Sequence, residues 1–417
     1  MSHRFAAPNH SVIARSAATK QSSRFDGLKV PSLSRDWIAT ARFAHLAMTI
    51  CVLAAVVIPA RSADADPIKI GQYGAFSGKE AAFGTAARKG VILAFEEANA
   101  AGGVLGRKLE LITEDNQSKH GESATIAKKF ASRDKVVAVL GGNPSTNSLE
   151  AAPILQNAKI PMIAISSTNP KVTEMGSYIF RVCFIDPFQG AVLAKFARTT
   201  LHAARAGILT SVNNPYSVGL SKVFREQFAE AGGVIVIEQR HSEGDKDFRA
   251  QLTAIKNANV DVIFHSSNYT EGALVCIQAR QLGFTGPLFG GDAWEAPQLI
   301  EIGGAAVEGT YYSTHASPES TALEMVDFIR KFRARWDGET PDSIAALGYD
   351  AARLLFDSLK RAGTTESARL REAIATTSAF PGITGKITID AQRNATKSAV
   401  ILTVKNGRFA YVETVDP

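Results

Sequence analysis

From Ile68 onward, short runs of apolar, β-branched residues alternate with longer stretches whose apolar positions recur every three or four residues. The first pattern predicts strands and the second amphipathic helices. Strands are predicted over 68–76, 108–115, 136–142, 161–168 and 178–182, with helices over 85–103, 123–134 and 149–157 between them. In the first helix Val91, Leu93 and Phe95 share a broad face with Ala87 and Ala98, and Gly102-Gly103 stops it. The pattern restarts at Ala204. Strands follow over 204–211, 234–240, 261–267, 287–292 and 308–315, with helices over 216–233, 248–257 and 270–282. Beyond His315 the prediction is helices over 323–336, 344–361 and 368–376, then strands over 385–390 and 399–412. The last run is broken at Asn406-Gly407, a strong hairpin signal between apolar segments. Such alternation argues for an α/β fold with open parallel sheets covered on both faces. The restart argues for two similar lobes, a repeat of fold and not of short sequence.

Composition adds little to this picture except at the N-terminus. The 417 residues carry 46 Lys/Arg and 40 Asp/Glu, and 45% are hydrophobic, as a globular chain with a core requires. Eight of the basic residues and three of the acidic ones lie within 1–65, so the rest is nearly neutral. Bulk charge therefore gives no argument for nucleic acid or an anionic membrane. Leu46–Ala60 is apolar throughout, but a membrane span needs about twenty residues. It follows Arg42 and precedes Ala63-Asp64-Ala65, which predicts a secretory signal peptide cut near Ala65 and no stable membrane insertion afterwards. The segments HSVIARSAATKQSS and FAHLAMT resemble translated intergenic repeat DNA, so residues 1–65 are expected to be signal peptide plus a spurious extension. Cys183 and Cys276 are too few for a disulfide framework and are expected to be free buried thiols. No CxxC, HExxH or His cluster supports a metal site, and no cofactor is expected.

Catalytic motifs are missing as well. There is no G-x-S-x-G, no Walker A and no G-x-G-x-x-G after the first strand. Instead, small polar residues follow predicted strand ends. Asn143-Pro144-Ser145-Thr146-Asn147 follows VLGG, and Thr168-Asn169-Pro170 follows AISS. Ligands of open α/β sheets sit at such ends, and helix-start NH groups beside hydroxyls suit a carboxylate. Ser145 and Thr146 could equally be helix caps. Tyr216 lies just before a predicted helix, and Asn268 and Tyr269 leave a strand, so packing and ligand contact are both open to them. PLFGGDAW places Asp292 at another strand end, as helix cap or as counter-ion. Gly290-Gly291 would let a ligand approach the backbone there. Trp294 either lines that pocket or packs behind it.

The motifs IKIGQYGAFSG, EEANAAGG followed by LGRKLELITEDNQS, STNSLEAAPILQNAKIPMIAISSTNP, NNPYSVG, GDKDF, DVIFHSSNYTEGALVCIQARQLGF, FGGDAW, AVEGTYYS and YDAARLL occur in that order. Together they resemble the periplasmic solute-binding proteins of branched-chain amino acid ABC transporters, from about Ile68 to the C-terminus. The resemblance implies a type I periplasmic binding protein fold, two Rossmann-like lobes with parallel-dominated sheets joined by three hinge crossings near Asp186, Ala316 and Gly385. One lobe would be 66–186 plus 316–384, the other 187–315 plus 385–417. It implies an amino-acid ligand between them, its carboxylate held at Ser145, Thr146 and Thr168 with Ser166 or Ser167 alongside. Its ammonium would meet Asp292, with Tyr216 in the cleft and Phe83 after the first-strand loop. Relatives often have two adjacent tyrosines where this chain has Asn268-Tyr269, so contacts to the ligand side chain would differ. The implied protein is not an enzyme. It is a periplasmic monomer serving an inner-membrane permease and its ATPase. Some members of the fold bind aromatic carboxylates, amides or urea, which is the alternative ligand class.

Overall fold

The computed structural model describes residues 66–417. The apolar run at 46–60, the cleavage pattern at 63–65 and Cys51 lie outside the described residues. The first half runs β1 (Ile68–Gly74), α1 (Ala81–Ala100), β2 (Leu109–Asp115), α2 (Glu122–Lys129), β3 (Ala138–Gly141), α3 (Ser145–Asn157), β4 (Met162–Ala164), α4 (Lys171–Glu174) and β5 (Ile179–Arg181). The second runs α5 (Asp186–Thr199), β6 (Arg205–Ser211), α6 (Pro215–Glu230), β7 (Val234–His241), α7 (Arg249–Asn257), β8 (Val262–Ser266), α8 (Tyr269–Gln281), β9 (Leu288–Gly290), α9 (Pro297–Gly303) and β10 (Tyr311–Thr314). The chain then adds α10 (Leu323–Arg335), α11 (Ser343–Ala362), α12 (Ser367–Ala375), β11 (Phe380–Gly382), β12 (Gly385–Ile389), β13 (Ala395–Thr396), β14 (Ala399–Lys405) and β15 (Arg408–Val415).

The two main sheets share one order. The first is β2-β1-β3-β4-β5, all parallel. The second repeats it as β7-β6-β8-β9-β10 and appends β14 and β15 antiparallel. That identity of order is the predicted repeat. Strand order reverses beside β1 in one sheet and beside β6 in the other, which opens a crevice at the carboxyl ends of the strands. The central strands are buried on both faces, as helix-covered parallel strands must be. Local sequence chemistry accounts for several element ends. Asn214 caps α6 through bonds from the Tyr216 and Ser217 NH groups at 3.0 and 3.3 Å, and Pro215 opens the helix. Asn406 and Gly407 take positive φ between β14 and β15, as the hairpin requires. Cys183 and Cys276 are buried and free.

Three expectations change. The fourth strand ends at Ala164, and after Ile165, whose NH still bonds the Gly141 carbonyl at 3.1 Å, the residues to Thr168 are not strand. Helix α5 occupies a segment where no helix was predicted; its polar positions Asp186 and Gln189 are buried by neighbouring elements and so blur the amphipathic pattern. Last, β12 does not join the second sheet. It pairs with β11 and β13, beside α11. Asp350 of α11 accepts from the Ile383 and Thr384 NH groups at 2.8 and 2.9 Å, and Arg181 of β5 donates its NH to the Arg393 carbonyl at 3.3 Å. The chain reaches the second sheet only at Ala399, not near Gly385.

Candidate functional site

Each candidate side chain owes its place to a strand end. After β3 the chain passes Pro144 and enters α3 at once, which puts Ser145 and Thr146 in its first turn; neither is the cap residue, and the helix has no side-chain cap. Ser145 Oγ accepts the Asn169 NH at 3.3 Å. Beyond β4, Ser166 accepts from the Asn143 amide. Ser167 faces inward, donating to the Gly142 carbonyl at 2.6 Å and bonding Ser148 at 2.8 Å. Thr168 is 1% exposed, yet its hydroxyl has no partner among the described residues. The polar group beside it is the buried Asp186 carboxyl.

Opposite lie the ends of the second sheet. Tyr216 is in the first turn of α6, buried, and its phenol is held well above the usual range by burial and then by Asp292. Asp292 follows β9 and begins a short turn, Asp292–Trp294, without capping it. Its carboxylate instead accepts from Gln189 Nε2 at 2.7 Å and lies 3.3 Å from His315 Nε2. The helix-cap alternative is therefore wrong for Asp292. The glycines before it have a different reason from the one expected. A Cβ at Gly290 would lie 2.5 Å from the Trp294 ring, and one at Gly291 would lie 2.2 Å from the Tyr216 hydroxyl. They make room for protein side chains, and Trp294, fully buried against Gly272 and Gly290, packs behind the site.

Across the crevice the two halves touch. Phe83, Pro144, Ser145, Ser166 and Ile344 from one side and Tyr216, Asp292 and Ala293 from the other enclose a cavity of about 20 Å³. That is room for about one water. Tyr269 donates to the Lys79 carbonyl at 2.8 Å and meets Phe83 edge-on at 5.0 Å. Asn169 donates to the Pro215 carbonyl at 2.8 Å. Asn268 donates to Glu243 at 3.2 Å, and Glu243 pairs with Lys79 at 3.2 Å.

Of the sequence candidates, Phe83, Ser145, Ser166, Tyr216 and Asp292 form cavity walls. Thr146, Ser167, Thr168, Asn268 and Tyr269 are not among those walls, and Ser167 is committed to the first sheet's own backbone. Pro144, Ala293 and Ile344 were missed, as were Gln189 and His315 behind Asp292. Only Pro144 carried a signal, its place inside a polar strand-end loop. Asp186 was singled out solely as a crossing. It is fully buried, with the Thr168 hydroxyl as its polar neighbour among the described residues, and burial pushes it up to about 8 against the effect of that hydroxyl. Among the described residues no cluster of His, Cys, Asp and Glu is placed to hold a metal.

Comparison with known proteins shows the family and the fold. Residues 67–408 match the family model described as periplasmic binding protein. A Leu/Ile/Val-binding protein homolog from Brucella abortus is 28% identical over 336 residues, 80% of this chain and 89% of that protein. The structure of a leucine binding protein, LivK, from Thermotoga maritima superposes with TM-score 0.80 at 40% identity, covering 84% of this chain and 99% of that one. The branched-chain amino acid transporter substrate binding protein LivJ from Streptococcus pneumoniae, solved with isoleucine, gives TM-score 0.79 at 33% identity over 84% and 100%.

Proposed function

Since the chain belongs to the periplasmic binding protein family, we propose that it captures an amino acid with a branched-chain or similar apolar side chain and presents it to an ABC importer. The observation that carries this reading is the two-sided cavity wall. Ser145, Ser166, Tyr216 and Asp292 are polar, while Phe83, Pro144, Ala293 and Ile344 are apolar, and both sheets contribute. An amino acid has the matching parts: a carboxylate, an ammonium and an apolar tail.

In this reading the ligand carboxylate lies at the α3 start, near Ser145, Thr146, Ser166 and Thr168. Helix NH groups and hydroxyls bind it without stranding a full counter-charge on release. The ammonium lies on Asp292. Each half offers part of the site, so a zwitterion that touches both favours the closed form over the open one. A ligand without a cation leaves Asp292 buried and unmatched, at a cost of about 3–5 kcal/mol. The lobes are 66–186 with 316–396 and 187–315 with 397–417, the third crossing moved to follow β13. Export through a signal peptide cut near Ala65, a monomeric state and an inner-membrane permease with its ATPase complete the proposal. Among the described residues no helix is long and apolar enough to cross a membrane.

Thermal unfolding with leucine, isoleucine and valine, their deaminated acids, benzoate and short amides tests it. A ligand at a thousand times its Kd stabilises by about 4 kcal/mol. The branched amino acids should shift the curve. A shift with benzoate or amides alone would overturn the proposal.

A further inference from the structure

Asp292 sits between two donors. Its Oδ1 accepts from Gln189 Nε2 at 2.7 Å, and its Oδ2 faces His315 Nε2 at 3.3 Å. Asp292, Gln189 and His315 are 5, 0 and 1% exposed. A carboxylate taken out of water stays ionised when donors bond to its charged form. Both donors here are uncharged. Gln189 is an amide, and burial holds His315 below the usual imidazole range, in its neutral form. Neutral donors fix the carboxylate without cancelling its charge, whereas a Lys or Arg in either place would take up the charge that a ligand ammonium needs. The other atoms of these side chains, Gln189 Oε1 and His315 Nδ1, have no partner among the described residues, so each side chain spends its one bond on Asp292.

Position adds to this. Gln189 is in the first turn of α5, directly after the first proposed crossing, and His315 follows β10 at the second. Phe184, from the first crossing, stacks on the His315 ring with centroids 3.9 Å apart. We infer that Gln189 and His315 are positioning residues that hold the Asp292 carboxylate in one orientation, and so set the protein's preference for ligands bearing an ammonium group. This rests on the reading of Asp292 as counter-ion.

The Tyr216 hydroxyl also lies within hydrogen-bonding reach of Asp292, but it is a cavity wall itself, whereas Gln189 and His315 hold the carboxylate from behind. Tyr216, Asp186 and Cys183 face Asp292, and burial drives all three toward their neutral forms, Asp186 up to about 8 and Cys183 up to about 12. Lys397, on the far side of His315, donates to Thr384 and is brought down to about 8 by burial. Removing Gln189 or His315 therefore leaves the Asp292 carboxylate with one fixed donor fewer behind it.

The test is the binding of leucine and of its deaminated analogue, 4-methylpentanoate, by titration calorimetry. Gln189→Leu and His315→Phe should each reduce the leucine preference over the analogue by about tenfold. His315→Gln, which keeps a donor, should retain most of the preference. A merely structural role would weaken both ligands alike, and that result would overturn the inference. Asp292→Asn separates the two levels. If it leaves leucine binding intact, the counter-ion reading fails and this inference with it. If it abolishes the preference while Gln189→Leu and His315→Phe do not, only the positioning role fails.

Discussion

At the scale of single residues, the site is shaped by what is missing as much as by what is present. Gly291 has no Cβ, and the Tyr216 hydroxyl and the Leu220 side chain occupy that space, 2.2 and 2.7 Å from where a Cβ would sit. Gly291→Ala should therefore push Tyr216 out of the cavity wall. The expected result is a loss of about 1–3 kcal/mol in stability and a weaker hold on the ligand, measured by denaturation and by calorimetry. Full affinity in this variant would show that Tyr216 does not contact the ligand. The sequence made Asp292 and Tyr216 visible because strand ends in open α/β sheets are where polar residues face a ligand. Gln189 and Ile344 gave no such signal. Gln189 lies in a segment where no helix was predicted, and Ile344 is one apolar residue among many in α11. Their role follows from neighbours more than a hundred residues away in the chain for Gln189, and such neighbours exist only after folding.

At the scale of elements, α1 and α11 pack backbone to backbone. A Cβ at Gly90 would lie 1.9 Å from the Ala345 carbonyl oxygen, and one at Gly348 would lie 2.3 Å from that of Ala87. Two opposing effects bear on Gly90→Ala. Alanine improves helix propensity by about 1 kcal/mol. The clash is with backbone, which cannot swing aside, and overpacking costs about 1–3 kcal/mol or more. The clash should win, and the urea midpoint should fall. A midpoint that rises would mean the two helices can separate freely. Both helices were legible from their apolar periodicity, but their reciprocal glycines were not. A glycine inside a helical pattern signals close approach without naming the partner. The same limit explains β12. Its alternation marked a strand, but nothing in Gly385–Ile389 states which sheet edge will receive it.

At the scale of the whole molecule, the seam between the two halves gathers acids. Glu80 from one side is buried beside Glu243 and Glu271 from the other, with Lys79 and Asn147 opposing the repulsion. Burial, and after it the charge of Glu243, pushes Glu80 from 4.5 up to about 7. A raised carboxylate favours closure fully below its ordinary range, and that contribution fades as pH climbs through about 7. Ligand affinity should thus weaken from about pH 5 to about pH 8. Asp186 leans the same way, so Glu80→Gln should reduce this slope without abolishing it. An unchanged slope in calorimetric titrations would show that Glu80 takes no part in closure. The chain's own order of apolar and polar residues determined the strands, most helices, the repeat and the strand ends that bear the candidate residues, because those depend on periodicity along a few neighbouring positions. Which wall each residue joins, which atoms hold Asp292 and where the chain makes its last crossing were decided only by tertiary structure. They depend on contacts between segments far apart in sequence, and on burial that no local pattern encodes.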